Sequence, residues 1–193
     1  MHLPKLVLAS GSPRRSEILG FVGWEFEKRV ADVDETPRPG EAPEAYVERL
    51  AFEKASAVAE SLSGGLVLGA DTTVVIDGLI VGKPEDEDEA KQMIAALSGR
   101  WHDVITGVAL VKRSPDRTSK VSGLQRTGVK FAPLTESEID FLVSEGDPFD
   151  KAGAYAVQAQ AALFIEEIRG DYWNVVGLPI SLVYRLVGES LVK

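Results

Sequence analysis

Cysteine is missing from all 193 residues and histidine occurs only twice. The first absence excludes disulfides, thiolate catalysis and cysteine-ligated zinc, and the second excludes a histidine-rich metal centre. Oxygen ligands, and with them hard cations, stay open. No apolar run approaches the roughly 20 residues that span a bilayer, and no basic, apolar, small-residue opening reads as a signal peptide. The chain is therefore read as cytoplasmic, with no membrane partner. Positive charge is scarce: 21 Lys and Arg against 30 Asp and Glu leave a formal net charge of -9 and a pI near 4.8. Such a chain repels polyanions except at a local basic site, so no nucleic-acid partner is expected, and a phosphorylated ligand has to be small or accompanied by metal ions. What is present is 45% hydrophobic content, enough for one substantial domain over 1–193, or two lobes sharing a core, with no repeat, low-complexity tract or long linker.

A buried strand from Leu6 runs into the turn Ser10-Gly11-Ser12-Pro13, and the helix predicted after it begins with two arginines. Ser12 as N-cap and Pro13 at the first helical position are both favoured, which puts Arg14 and Arg15 second and third. A helix N-terminus already carries about half a positive charge from its unpaired N–H groups and ordinarily attracts Asp or Glu. A capping box would place Glu or Gln where Arg15 stands. An external anion resolves the conflict, and phosphate suits N–H groups, a serine hydroxyl and guanidinium forks together. An ion pair between Arg14 and Glu17, worth about 0.5 kcal/mol on a surface, is the plainer alternative.

Further on, WEFEKRVADVDE reads as a second strand ending in acid, TPRPGEAP as a Pro/Gly-rich loop, and 43–60 as a helix. GGLVLGADTTVVIDGLIVGKP gives a long apolar strand, an Asp77-Gly78 hairpin turn and a short return strand stopped by Pro84. Ala90, Met93, Ile94 and Leu97 keep helical period up to Ser98-Gly99, and two strands meet at Ser114-Pro115-Asp116. Thr135 and Glu138 make a capping box for a helix to Gly146. The segment through AYAVQAQAALFIEEI is read as strand, followed by a turn at Gly170-Asp171 and a closing helix after Pro179. This order predicts an α/β fold with a mixed central sheet flanked by helices, not a strict βαβ repeat.

Three residue groups break the pattern. Asp71 interrupts an otherwise apolar strand, and burying a carboxylate costs several kcal/mol unless it is paired, hydrogen-bonded or bound to metal. Either it has such a partner, or it sits at a strand end and caps a bulge at Gly69-Ala70. Lys54 falls in the apolar stripe that Val47, Leu50, Ala51 and Val58 mark on the 43–60 helix. Its head either snorkels past the core edge or points into a cleft lined by carboxylates or phosphates. Asp32, Asp34 and Glu35 cluster with no basic residue between them, as a solvated acidic loop or a hard-metal site. Together these groups supply cations for phosphates (Arg14, Arg15, Lys54, Lys83) and carboxylates for a divalent cation (Glu35, Asp71). That inventory suits metal-assisted attack of water on a phosphoric anhydride.

ASGSPRRSEIL, VDET, FEKA, GADTTVV, GKP, LSGRWHDVITGV, DKAGAYAVQ and NVVGLP also resemble, in order and spacing, the motifs of the Maf family of nucleoside triphosphate pyrophosphatases, from about Leu6 to Pro179. The resemblance implies an α/β fold of two lobes around a deep cleft, related to the inosine triphosphate pyrophosphatases. It also implies hydrolysis of nucleoside triphosphates to monophosphate and pyrophosphate with a divalent metal, Mg or Mn. By carry-over Asp71 is the catalytic base and, with Glu35, a metal ligand, while Ser10, Arg14, Arg15, Lys54, Lys83 and Gln158 line the substrate site. GADTTVV and DKAGAYAVQ resemble the branch acting on dTTP and UTP rather than the one acting on 7-methyl-GTP, and there the positions of Arg14, Thr72 and Gln158 select the base. One departure is that Ala159 and Ala161 stand where that branch usually has glycines, which puts methyl groups where close backbone approach is expected. The partner implied is a small nucleotide, with a homodimer also allowed for. From another class, the family's link to septum formation allows a nucleotide-binding regulator of cell division.

Overall fold

The computed structural model describes residues 3–192. In chain order its elements are β1 (Leu6–Ala9), α1 (Pro13–Phe21), β2 (Phe26–Arg29), α2 (Pro43–Glu60), β3 (Gly65–Ile76), β4 (Leu79–Val81), α3 (Glu87–Leu97), β5 (Trp101–Arg113), β6 (Thr118–Phe131), α4 (Glu136–Glu145), β7 (Ile165–Arg169), α5 (Tyr172–Val176) and α6 (Ile180–Val192). The seven strands form one mixed sheet in the order β2-β1-β3-β5-β6-β7, with β4 paired to β3. β1 runs parallel to both β2 and β3, whereas β3–β4 and β6–β7 are antiparallel. The mixed α/β class is thus as expected. The β3–β4 hairpin turns on Asp77 and Gly78, both at positive φ (53° and 78°), as the mirror-image turn favoured between twisted strands requires. Among the described residues no helix is long and apolar enough to cross a membrane.

The chain divides into two compact units: Met1–Asp71, Thr106–Gln125 and Gly177–Lys193 in the first, Thr72–Ile105 and Arg126–Val176 in the second. In the first, α2 lies on the sheet through small residues. Ala51, Ala55, Val58 and Ala59 pack with Ala9, Val67, Ala109 and Val111. Two strand glycines let the backbones approach further. A Cβ on Gly69 would stand 2.1 Å from the Ala51 carbonyl oxygen, and one on Gly107 would stand 2.4 Å from that of Val47. Alternate strand residues share a face, so Val67, Gly69 and Asp71 are presented to α2 together. The same glycine that admits the helix therefore brings Asp71 against it.

The second unit has its own core around Phe131, Leu97, Ile94, Val104 and Tyr155. His102 is buried in it, edge-on to Phe131 and to Tyr155 with ring centroids 5.5 Å away in each case. Its Nε2 is 2.7 Å from the Tyr155 hydroxyl. Burial pulls its pKa down to about 4. The folded chain then binds this proton less tightly than the unfolded chain, whose histidine titrates near 6.5. The stability held by neutral His102 is complete above about pH 6.5 and is lost as the pH falls toward 4, amounting to about 2 kcal/mol by pH 5. Urea unfolding at pH 7 and pH 5 should show the wild type losing about that much more than His102→Gln. Equal losses in both proteins would place the acid sensitivity elsewhere.

One expected strand does not form. From Tyr155 to Phe164 the backbone turns, with a 3-10 stretch at Gln160–Leu163, and strand begins only at Ile165. The amides of Ala159, Ala162 and Phe164 bond to carbonyls three residues back, of Ala156, Ala159 and Ala161, and so enter no ladder. The apolar-polar alternation comes from turns that bury Val157 and Ala161 while exposing Gln158. The Ala159 and Ala161 methyls are accommodated: Ala159 has an ordinary φ of -121°, and Ala161 packs into the core. The short helix α5, unforeseen in the sequence, starts where Asp171 Oδ1 accepts the Trp173 N–H at 2.8 Å.

Candidate active site

Helix α1 starts as its sequence predicts, with Ser12 as N-cap, Pro13 first and no acidic residue in the first turn. The Ser12 side chain makes no capping bond. Ser10 serves the turn instead, its Oγ accepting the Ser12 N–H at 3.2 Å and an Arg15 Nη1 hydrogen at 3.0 Å. Arg15 is buried and also donates from Nε to the Gly177 carbonyl at 2.9 Å, which fixes the guanidinium beneath the turn. Burial lowers its pKa; Asp71 opposes this, Arg14 adds to it and Glu35 opposes it. Asp71, Arg14 and Glu35 therefore all act on the Arg15 guanidinium.

Lys54 joins two of these groups. Its Nζ donates to Asp71 Oδ1 at 2.6 Å and lies 2.6 Å from Glu35 Oε1. The Lys54 and Asp71 side chains are only 11% and 10% exposed, against 44% for Glu35, so the pair is sunk and the third group reaches in from the surface. Lys54 does not snorkel outward. Nor is Asp71 a strand-end cap, since β3 continues five residues beyond it to Ile76. Burial raises the Asp71 pKa, with Lys54 and then Arg15 opposing and Glu35 adding to the rise. A buried carboxylate held between cations, with a proton affinity above the ordinary, is equipped to accept a proton.

Six of the predicted site residues, Ser10, Arg14, Arg15, Glu35, Lys54 and Asp71, belong to the first unit, and Thr72, Lys83 and Gln158 belong to the second. Thr72 follows Asp71 directly on β3, while Lys83 is exposed in the irregular segment after β4 and Gln158 is exposed on a turn. Within the second unit the Gly153 N–H donates to the Gly82 carbonyl at 2.9 Å, tying the residue before Lys83 to the segment that leads to Gln158. Gly153 needs to be glycine, because its φ is +70° and a Cβ would press on Val74 at 3.0 Å. Gln158 lies on a turn and not at a sheet edge.

The acidic run 32–35 does not act as one cluster. Asp34 accepts the Thr36 N–H at 2.9 Å within its own turn, and Glu35 turns to Lys54. Among the described residues no group of three or more His, Asp or Glu gathers as a metal cage. Two residues that the sequence reading passed over, Tyr46 and Arg49, grip this loop from α2. Tyr46 donates to the Glu35 carbonyl at 2.9 Å, and Arg49 holds Glu41 through two hydrogen bonds of 2.6 and 2.8 Å. No sequence signal marks them, since both are ordinary on the partly exposed side of a helix.

The Maf-like protein family model matches residues 5–190. A dTTP/UTP pyrophosphatase from Bacillus cereus is 48% identical over 181 residues, 94% of this chain and 93% of its own. One from Bacillus thuringiensis subsp. konkukian is 49% identical over the same shares. Among solved structures, a HAM1 protein from Coxiella burnetii has a TM-score of 0.52 at 15% identity, covering 99% of this chain and 100% of that one, a likeness of fold. With the family model spanning both units and relatives near half identity over almost the whole length, the chain belongs to the Maf-like protein family.

Proposed function

We propose that this chain hydrolyses nucleoside triphosphates, UTP and dTTP foremost, to the monophosphate and pyrophosphate. The observation that carries the reading is the buried Asp71–Lys54 pair with Glu35 on the same ammonium, in a chain whose relatives are named dTTP/UTP pyrophosphatases. Asp71 takes the proton from the water that attacks the α-phosphorus. Lys54 and Arg15 orient it and favour its ionised form. Ser10, Arg14, Arg15, Lys54 and Lys83 bind the triphosphate, and the positive charge of the arginines and lysines offsets what the net charge of -9 would repel.

A divalent cation, Mg or Mn, is the cofactor of this reading, with Glu35 and Asp71 to hold it. The donor set fits. Both groups are carboxylates, already converging on one positive charge, and Mg²⁺ is commonly held by one or two carboxylates with phosphates and water completing its shell. When bound, the cation neutralises triphosphate charge as water attacks.

Thr72 and Gln158, with Arg14, select the base. A carboxamide offers one acceptor and two donors, which match the N3–H and a carbonyl of uracil or thymine and leave groups unpaired on a wrong base. Catalytic efficiency on UTP, dTTP, CTP, ATP, GTP and 7-methyl-GTP, with pyrophosphate detection, tests this. UTP and dTTP should lead, and Gln158→Glu should erode their lead over the purines by about tenfold or more. A preference for GTP or 7-methyl-GTP, or equal loss on every base in the variant, would remove the base-reading role from Gln158.

A further inference from the structure

Glu35 stands at the edge of a segment ill suited to hold anything still. Residues 30–42 contain no helix or strand, and Thr36-Pro37-Arg38-Pro39-Gly40 is exposed throughout. Pro37 and Pro39 have no N–H to anchor the backbone. Yet Glu35 Oε1 has to meet Lys54 to within hydrogen-bond distance. Helix α2 supplies what the loop lacks. Tyr46 Oη donates to the Glu35 carbonyl at 2.9 Å and Arg49 Nη2 to that of Thr36 at 3.3 Å, so two successive loop carbonyls are taken by one helix. Arg49 also forks onto Glu41 through Nε and Nη2, and its Nη1 reaches Glu53 at 3.2 Å. That fork is not an ordinary surface pair. The Arg49 and Glu41 side chains are 12% and 9% exposed, although the loop between Glu35 and Glu41 lies in solvent. Arg49 keeps the Glu41 carboxyl down at about 2, so the pair stays ionised through the neutral range. Glu41 in turn accepts the Arg38 N–H at 3.0 Å and closes the loop on itself.

We propose that Tyr46 and Arg49 are positioning residues for Glu35: a clamp on α2 that holds the loop where the Glu35 carboxylate meets Lys54 and Asp71. The inference rests on the proposed hydrolysis, in which Glu35 serves the reaction. The three side chains follow one another along the helix, Tyr46 on the loop backbone, Arg49 on its far end and Lys54 on the carboxylate. Rotation or displacement of α2 therefore moves the loop and the buried pair together.

The test is a double-mutant cycle on kcat/KM for UTP, using wild type, Tyr46→Phe, Glu35→Gln and the double variant, with Tm for each. Removing one hydroxyl hydrogen bond should lower kcat/KM about tenfold with little change in Tm. If Tyr46 acts through Glu35, the double variant is no worse than Glu35→Gln alone, because the carboxylate it positions is already gone. Arg49→Met should cost more, and if it fails to fold, the Tyr46 cycle still decides. Losses that multiply, or full activity in Tyr46→Phe, overturn the clamp. A wild type that releases no pyrophosphate from any triphosphate overturns the proposed hydrolysis instead, so the two failures are distinct.

Discussion

Asp71→Asn should lose roughly 10²- to 10⁴-fold in turnover while keeping its fold and much of its nucleotide affinity. Asparagine has the shape of aspartate and can still accept from Lys54, whose Nζ is 2.6 Å from Oδ1. It cannot take a proton from water or neutralise a cation. The same residue sets the pH dependence. Burial lifts the Asp71 pKa against the opposing pull of Lys54 and Arg15, and the base works only when ionised. In the metal-free protein the Asp71 carboxyl should therefore titrate above the ordinary aspartate value of about 3.9, a bound cation should lower it, and activity should fall as the pH drops and the base is protonated. Turnover within a few-fold of wild type in the variant would show that Asp71 serves the fold alone.

Gly69→Ala is expected to do the largest damage to the fold for a single added methyl. The new Cβ would lie 2.1 Å from the Ala51 carbonyl and 2.9 Å from both the Ala55 nitrogen and its Cβ. Two of those three atoms are backbone within α2, so no side-chain rotation relieves the clash, and the whole helix has to move. Overpacking of this kind costs about 1–3 kcal/mol and more where the neighbours are rigid. At about 2–4 °C per kcal/mol for a chain of this size, Tm should fall by about 5–10 °C. Because α2 carries Tyr46, Arg49 and Lys54, activity should fall with it. The control is Gly188→Ala in α6, where an added Cβ meets nothing within 4 Å and should stabilise by up to about 1 kcal/mol through helix propensity. A similar small effect from both substitutions, followed by thermal unfolding, would refute the close packing of α2 on β3.

Much of this site was legible because it violates local rules. Asp71 in an apolar strand and Lys54 in an apolar helix stripe each demand a partner, and they prove to be each other's. Arg15 at a helix start looked misplaced, and the structure places it under the turn on Ser10 and Gly177. What escaped the sequence broke no rule. Tyr46 and Arg49 sit on the partly exposed side of an amphipathic helix, where such residues are ordinary. Their role depends on loop groups that lie eight to thirteen positions earlier in the chain. Gly69 and Gly107 read as plain strand glycines, because the carbonyls that require them belong to a helix remote in sequence. The 155–164 segment deceived for the opposite reason. It alternates like a strand, yet its amides are satisfied by local turns.

The most direct test of the proposed chemistry is to let the wild-type enzyme turn over UTP once in 18O-labelled water with Mg²⁺ and to find the label by mass spectrometry. Attack at the α-phosphorus, with Asp71 accepting the proton, places the 18O in UMP and leaves the pyrophosphate unlabelled. Label in pyrophosphate, or in orthophosphate as the direct product, would contradict the account.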